Sequence, residues 1–300
     1  MIQIVAAALI WLLVVCLLPG GLRKRRDHSV LTAAITISVA LTLNIDQIYV
    51  GLDSVLGGRN FVDLVANVSM VVGIYFLSRA IIRAATPDEK VEARDTTGMI
   101  LLAVVIMGLA ASFSAIVTQS SSTRFMVDYG DQWSAALYSF IQFLYIGYVV
   151  GVTGVTCFRF RGYMLSPYFR ASFTLIGIGC ALAVLLVSLV LVMDVLHLQG
   201  HLEAMRSVSS IYDAAVVAAM AFLCIGLAIP PVARRILRRK QSETEAELVS
   251  DLTKIWEKTT NKRQNVRLVR GTEVISDQDP ARILHRMLVE VQDVLLVEPV

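Results

Sequence analysis

The sequence predicts an all-α membrane protein, a polytopic bundle of about seven transmembrane helices followed by a small cytoplasmic helical domain. Of its 300 residues, 56% are hydrophobic and only 17% are charged, whereas a soluble domain carries about 25% charged residues. The apolar residues form long uninterrupted runs instead of helical stripes. The loops between these runs alternate between basic and nearly neutral. Together these observations predict a chain that crosses a lipid bilayer several times.

Seven apolar runs are long enough to cross a hydrocarbon core of about 30 Å. They cover roughly 2–18, 29–50, 61–84, 99–118, 133–158, 171–195 and 208–229. The first run precedes its basic cluster, which is the reverse of the order in a secretory signal, so we expect a retained helix. Pro230 and Pro231 are expected to end the seventh run, because proline cannot donate a helix hydrogen bond.

The basic residues predict the orientation of the chain. Every second loop is rich in arginine and lysine: Arg23, Lys24, Arg25 and Arg26; Arg79, Arg83, Lys90 and Arg94; Arg159, Arg161 and Arg170; Arg234, Arg235, Arg238, Arg239 and Lys240. The remaining loops hold only Arg59, Arg124 and Arg206. Basic residues in short loops stay in the cytoplasm. We therefore expect a multi-pass protein of the cell membrane with its N-terminus outside and its C-terminus in the cytoplasm.

Composition divides the chain into a transmembrane bundle at 1–233, a basic juxtamembrane segment at 234–242 and a cytoplasmic helical domain at 243–300. The tail begins with an amphipathic helix over 243–258. A second helix is predicted to start with Asp279 as its cap and Pro280 in its first turn. Two helices bury little surface by themselves. We expect the tail to pack on a cytoplasmic protein, on a second copy or on the bundle. Its short length is typical of a shortened domain.

Polar side chains within the apolar runs are the candidate ligand-binding residues, since each ionisable group costs about 2.5–3.5 kcal/mol at the centre of a span. They form three stripes that should face the bundle interior. The second run contributes Ser38, Thr42 and Asp46, the third contributes Asp63 and Asn67, and the fifth contributes Tyr138, Gln142 and Tyr145. The hypothesis is a negative vestibule, open to the outside, that receives a cation, a proton or a cationic small molecule. Its candidate residues are Asp46, Asp63, Asn67, Tyr138, Gln142, Tyr145, Asp194 and Asp213.

A structural interpretation of the same carboxylates stays open. Asp63 and Asp213 fall in the first turns of their helices, where a carboxylate complements the helix dipole. Asp194 lies near the interface, whereas Asp46 is expected deeper in its helix. The pairs Asp46–Asp63 and Asp194–Asp213 also occupy equivalent positions in the two halves of the chain, a pattern that some transporters show.

Small residues in the fifth run predict close helix packing within the chain. Gly147 and Gly151 form a GxxxG, and Gly154 follows three residues later. The pattern leaves a homo-oligomer open. The cysteines all fall inside apolar runs, which predicts buried thiols instead of disulfides.

An enzyme is the least expected class. The chain has no P-loop, GxSxG or HExxH motif. Asp194, His197 and His201 follow helical spacing, but Gly200 interrupts it, so we predict no metal site and no cofactor. The lipid bilayer is a predicted partner. Topology explains the basic clusters, so no nucleic-acid partner is predicted.

At the tail the chain resembles a family of actinobacterial membrane proteins. The segment LTKIW, with Leu252, Ile255 and Trp256, is similar to the opening motif of their C-terminal domain of unknown function. The run ILHRMLVEVQDVLL is similar to its later helix. These proteins have seven outside-in spans and are generally labelled as proposed transporters. The resemblance implies transport, or signalling through a regulator encoded beside them.

The tail supplies the candidate partner-binding residues, Trp256, Arg286, Glu290 and Asp293. The last three share one polar face, either as a salt-bridge ladder within the helix or as a docking face. Two functions therefore remain: a transporter of a small or cationic solute, or a membrane sensor that engages a cytoplasmic partner through 243–300.

Overall fold

The computed structural model describes residues 2–21, 29–85, 91–118, 120–164, 166–260 and 280–297. All regular structure within these ranges is helical. The helices are α1 Ile2–Gly21, α2 Ser29–Leu43, α3 Asp46–Val55, α4 Phe61–Ala85, α5 Val91–Ser114, α6 Phe125–Tyr129, α7 Trp133–Phe160, α8 Pro167–Leu198, α9 Leu202–Thr260 and α10 Pro280–Val297. A single 3₁₀ turn, Arg161–Tyr163, follows α7.

Five stretches of the described helices are long and apolar enough to cross a membrane: Phe61–Ala85, Thr96–Ser114, Trp133–Tyr163, Pro167–Leu198 and Ala214–Lys254. A sixth is reached if α2 and α3 are counted as one broken span. The apolar part of α1, Gln3–Leu18, is shorter. The outer faces carry exposed apolar side chains, as on Met107 and Val155, which suits a lipid environment. The all-helical, apolar fold is therefore confirmed.

The second predicted span is not one helix. Helix α2 ends at Leu43, and α3 leaves it at an angle of 84°. The backbone of Ile45 is extended, with φ −74° and ψ 124°. The prediction of a continuous helix over 29–50 is wrong. After the break, the carboxylate of Asp53 on α3 accepts from the backbone N–H groups of Asn60 and Val62 at the start of α4.

The prediction that Pro230 and Pro231 end a helix is also wrong, because α9 runs through both. Pro230 cannot donate to the carbonyl of Gly226, four residues earlier. The hydroxyl of Ser172 on α8 donates to that carbonyl instead, at 2.7 Å. A hydroxyl from a neighbouring helix thus satisfies the backbone group that the proline leaves unpaired. The basic segment and the predicted helix over 243–258 are continuations of α9.

Close packing between α7 and α8 depends on the predicted glycines. A Cβ atom added at Gly154 would lie 2.9 Å from Cβ of Cys180, and one at Gly147 would lie 3.1 Å from Val187. At Gly151 the nearest atom, on Val184, would be 3.9 Å away. The intramolecular packing of this glycine pattern is confirmed.

The chain divides into two compact units, Met1–Pro231 and Val232–Val300; the sequence places this boundary at residue 233. The core of the first unit includes Val71, Leu109, Tyr138 and Tyr145, at the meeting of α4, α5 and α7. The second unit is built from the end of α9 and from α10. Helix α10 begins at Pro280 as predicted, whereas Asp279 lies outside the described residues.

Candidate functional site

Two predicted polar stripes meet inside the first unit. Asp63 and Asn67 lie one turn apart on α4, and Tyr138 and Gln142 lie one turn apart on α7. The hydroxyl of Tyr138 donates to Oδ2 of Asp63 at 2.9 Å. Nδ2 of Asn67 donates both to the same oxygen and to the Tyr138 hydroxyl, each at 2.9 Å. Nε2 of Gln142 donates to Oδ1 of Asn67 at 2.9 Å. We call these four residues the Asp63 network.

The hydrogen bonds of the Asp63 network all point toward the carboxylate. Gln142 donates to Asn67, and both Asn67 and Tyr138 donate to Asp63, which suits a group that only accepts when ionised. Both bonds end on Oδ2. Within the described part of the chain, no lysine, arginine or histidine pairs with Asp63. Asp63 lies in the first turn of α4, as predicted, where the helix dipole favours a carboxylate. Because no cation pairs with it within apolar helices, it also marks a candidate functional site.

Asn67 and Gln142 also line a cavity of about 340 Å³ between the helices. The walls come from α1, α2, α4, α7, α8 and α9 and are mostly aliphatic. Among the described residues, none that lines the cavity is charged. Besides the two amides, the polar side chains at the wall are Asn44, Ser78, Thr153 and Tyr212, with the thiols of Cys180 and Cys224. We call this space the interhelical cavity.

A hydroxyl pair on the same two helices lies three turns from the network. Oγ1 of Thr153 on α7 donates to Oγ of Ser78 on α4 at 2.7 Å. The Thr153 hydroxyl also lies 2.7 Å from the carbonyl oxygen of Val149. Both residues are buried and both line the cavity. Helices α4 and α7 are therefore joined by side-chain hydrogen bonds at two heights along the cavity, at Asn67–Gln142 and at Ser78–Thr153.

A buried cluster that sequence reasoning missed positions the start of α4. Asp53 is fully buried, and its Oδ2 accepts from the backbone N–H of Asn60 at 2.9 Å. Oδ1 of Asn60 accepts from the Tyr49 hydroxyl at 2.9 Å and from the N–H of Ser122 at 2.7 Å. Nδ2 of Asn60 donates to the Ser120 carbonyl at 2.9 Å.

This cluster links α3, the start of α4 and the 120–122 loop. Its central residue, Asn60, lies three residues before Asp63. The signal in the sequence was the Gly57–Gly58 turn followed by an asparagine. Asn60 has φ 59°, a left-handed conformation that asparagine adopts more readily than most residues.

Asp46 does not join the Asp63 network. It lies in the first turn of α3 and is exposed, so the prediction of a deep Asp46 on one helix with Ser38 and Thr42 is wrong. The break after α2 is the reason, because it moves Asp46 to a helix start where a carboxylate is favoured. The hydroxyls of Ser38 and Thr42 donate within α2, to the carbonyls of Ala34 and Ser38. The predicted equivalence of Asp46 with Asp194 fails for the same reason.

The remaining candidates lie apart from the network. Oδ2 of Asp194 accepts from the Ser139 hydroxyl at 2.5 Å, which joins α8 to α7. The hydroxyl of Tyr145 is buried without a hydrogen-bond partner in the described structure, and Tyr145 does not line the cavity. The side chain of Asp213 lies outside the described residues. Across those residues, no group of three or more His, Cys, Asp or Glu is placed to hold a metal ion.

The tail candidates contact one another. Nε1 of Trp256 donates to Oε2 of Glu290 at 2.6 Å, and both side chains are buried. Nε of Arg286 lies 3.7 Å from Oε1 of Glu290, one turn away on α10. The ion pair predicted between Arg286 and Glu290 is therefore confirmed. A docking face is wrong for Glu290, since its carboxylate is buried and bonded to Trp256. Asp293 is exposed.

No protein-family model matches this chain, and neither a curated protein nor a solved structure matches it.

Proposed function

We propose that this chain is a multi-pass transporter of the cell membrane that takes a small or cationic solute from an outward-facing polar vestibule. The observation that carries the proposal is the Asp63 network, whose amides Asn67 and Gln142 open onto the interhelical cavity. A polar group of this kind is expensive within apolar helices. Its position at the wall of a cavity bounded by six helices is what a solute-binding site requires.

The proposed topology has seven spans, with the N-terminus outside and the C-terminus in the cytoplasm. The alternating basic loops support it. Alkaline phosphatase, which is active only outside the cytoplasm, should be active when fused after Gly58 and inactive when fused after Lys240. The reverse pattern would overturn the orientation, and with it the assignment of the Asp63 end to the outside.

Native thiols provide a test of transport without any substitution. Cys180 and Cys224 line the cavity, whereas Cys157 is fully buried and does not line it. Right-side-out and inside-out vesicles would be treated with a membrane-impermeant methanethiosulfonate, and the labelled peptides would be identified by mass spectrometry. A transporter that opens alternately to the two sides should show labelling of Cys180 or Cys224 from both faces, with Cys157 as the unlabelled control.

Any other result would contradict transport. Labelling from the outer face alone would describe a receptor vestibule. Protection from both faces would describe a closed structural cavity, in which the Asp63 network serves packing.

A membrane sensor is the second candidate, and the separate core of the unit Val232–Val300 favours it. Trp256, Ile283 and Met287 form that core, while Leu288 on α10 and Leu248 on α9 stay exposed. In-cell crosslinking of the full chain would be compared with a chain ending at Lys240. A soluble regulator that crosslinks reproducibly to the full chain alone would support signalling, and equal capture by the two chains would count against it. Membership of the actinobacterial family would suit either function.

A further inference from the structure

The size of the interhelical cavity and the chemistry of its wall restrict what it can bind. At about 340 Å³ it exceeds an engineered cavity of about 150 Å³ that binds benzene in another protein. Its described wall has no charged side chain and is built mainly from leucine, isoleucine, valine and alanine. A cation placed there would lose its hydration without a paired charge, which costs far more than burying an apolar molecule.

The carboxylate of Asp63 does not line the cavity. In the network, Asn67 connects Asp63 to the cavity-lining Gln142, and its Nδ2 already donates to Asp63 and to Tyr138. The oxygen of Asn67 is used as well, because it accepts from Gln142. Asp63 therefore orients the amides and does not itself contact a molecule in the cavity.

Gln142 has hydrogen-bonding capacity left over. A glutamine amide offers two N–H donors and a carbonyl acceptor, and one bond, from Nε2 to Asn67, is made in the described structure. Its Oε1 has no partner among the described residues, although the side chain is only 6% exposed. This residue lines the cavity. One acceptor and one donor of Gln142 are thus available at a wall that is mostly aliphatic.

We infer that the interhelical cavity binds an uncharged, lipid-soluble molecule that presents one hydroxyl group to the amide of Gln142. The apolar body of the ligand packs against the aliphatic walls, and its hydroxyl donates to Oε1 of Gln142. This inference rests on the proposed function and names the class of solute, neutral and not cationic.

Photolabelling tests the ligand class on the full chain reconstituted in phosphatidylcholine nanodiscs. Two probes share one diazirine-bearing decyl chain, and they end in a hydroxyl or in a trimethylammonium group. Mass spectrometry assigns the labelled positions, which separates the cavity wall from the lipid-facing surface. We expect the alcohol to label cavity residues such as Ile146 and Val150, and unlabelled decanol in excess to suppress that labelling. The ammonium probe should label only the outer faces.

Two variants test the contact itself. Gln142→Leu removes the amide at similar size and should weaken saturable alcohol labelling by about tenfold, the value of one net hydrogen bond. Ala183→Phe on α8 places a large side chain at a cavity-lining residue that is not part of the Asp63 network, and it should abolish the labelling. It keeps the test decisive if Gln142→Leu does not fold.

Three results would overturn the inference: cavity labelling by the ammonium probe that equals that of the alcohol, alcohol labelling that excess decanol does not suppress, or labelling that Ala183→Phe leaves unchanged. Failure of the proposed function has a different signature. If saturable alcohol labelling is found while Cys180 and Cys224 react from one face only, the ligand class stands and transport falls.

Discussion

The hydroxyl of Ser172 on α8 donates to the carbonyl oxygen of Gly226 on α9 at 2.7 Å. Pro230 cannot donate to that carbonyl, because proline has no backbone N–H. Gly226 also allows the approach. A Cβ atom at this position would lie 3.0 Å from the backbone nitrogen of Ile176 and 3.2 Å from the Ser172 carbonyl. A proline that would otherwise end a helix is thereby accommodated within a long one.

Ser172→Ala should destabilise the bundle by about 0.6 kcal/mol, the average for interhelical hydrogen bonds in membrane proteins, and by no more than about 1.7 kcal/mol. Pro230→Ala restores an N–H that can donate to Gly226, so the serine should matter less in that background. Unfolding in mixed detergent micelles would measure the four free energies of this double-mutant cycle. Equal effects of Ser172→Ala in both backgrounds would show that the hydroxyl does not compensate for the proline.

Tyr138→Phe should destabilise the protein by about 1–2 kcal/mol, because it removes one of the two side-chain donors to Asp63 in a buried site. Tyr148→Phe is the matched control on the same helix, since Tyr148 is 61% exposed, and it should change stability little. The same unfolding assay compares them. Effects of equal size would mean that the hydroxyl of Tyr138 contributes nothing particular to the network.

Gly154→Ala should separate α7 from α8, because its Cβ would lie 2.9 Å from Cβ of Cys180, closer than packed carbons approach. Overpacking of this kind costs typically about 1–3 kcal/mol. Gly151→Ala is the control on the same face, with its nearest atom at 3.9 Å, and it should be neutral or slightly stabilising because alanine favours a helix. Thermal unfolding would rank the two variants, and the opposite order would refute this account of the packing.

Trp256→Phe should destabilise the second unit by about 1–3 kcal/mol, since it leaves the buried carboxylate of Glu290 without the indole N–H. Glu290→Gln keeps an acceptor oxygen and should cost less. Hydrogen exchange of the full chain measures the effect. We expect the amides of α10 to exchange faster in the variant and those of α7 to exchange at an unchanged rate. If Trp256→Phe leaves α10 protected, packing of the ring alone maintains this core.

The sequence allowed part of the site to be predicted. Asp63 and Asn67 on one helix, and Tyr138 and Gln142 on another, are each spaced by one turn, and apolar surroundings require such stripes to face inward. Their inward orientation is confirmed, and the structure adds that the two pairs bond to each other. Asp53 and Asn60 were missed because their bonds join segments that only the turn of α3 brings together. Glu290 was assigned to a polar face because periodicity does not show that Trp256, 34 residues away, covers it.

By itself, the sequence determined that the chain is helical and apolar enough for a membrane, since length and hydropathy of each run are local properties. It also identified Gly147 and Gly154 as positions of close helix contact. The tertiary structure alone decided where helices break or continue. Helix α2 turns into α3 where Asp53 can bind the backbone at the start of α4, and α9 passes Pro230 because Ser172 satisfies Gly226. Each of these outcomes depends on a hydrogen bond to a residue distant in sequence or on another helix, and such a partner is not visible in the local pattern of residues.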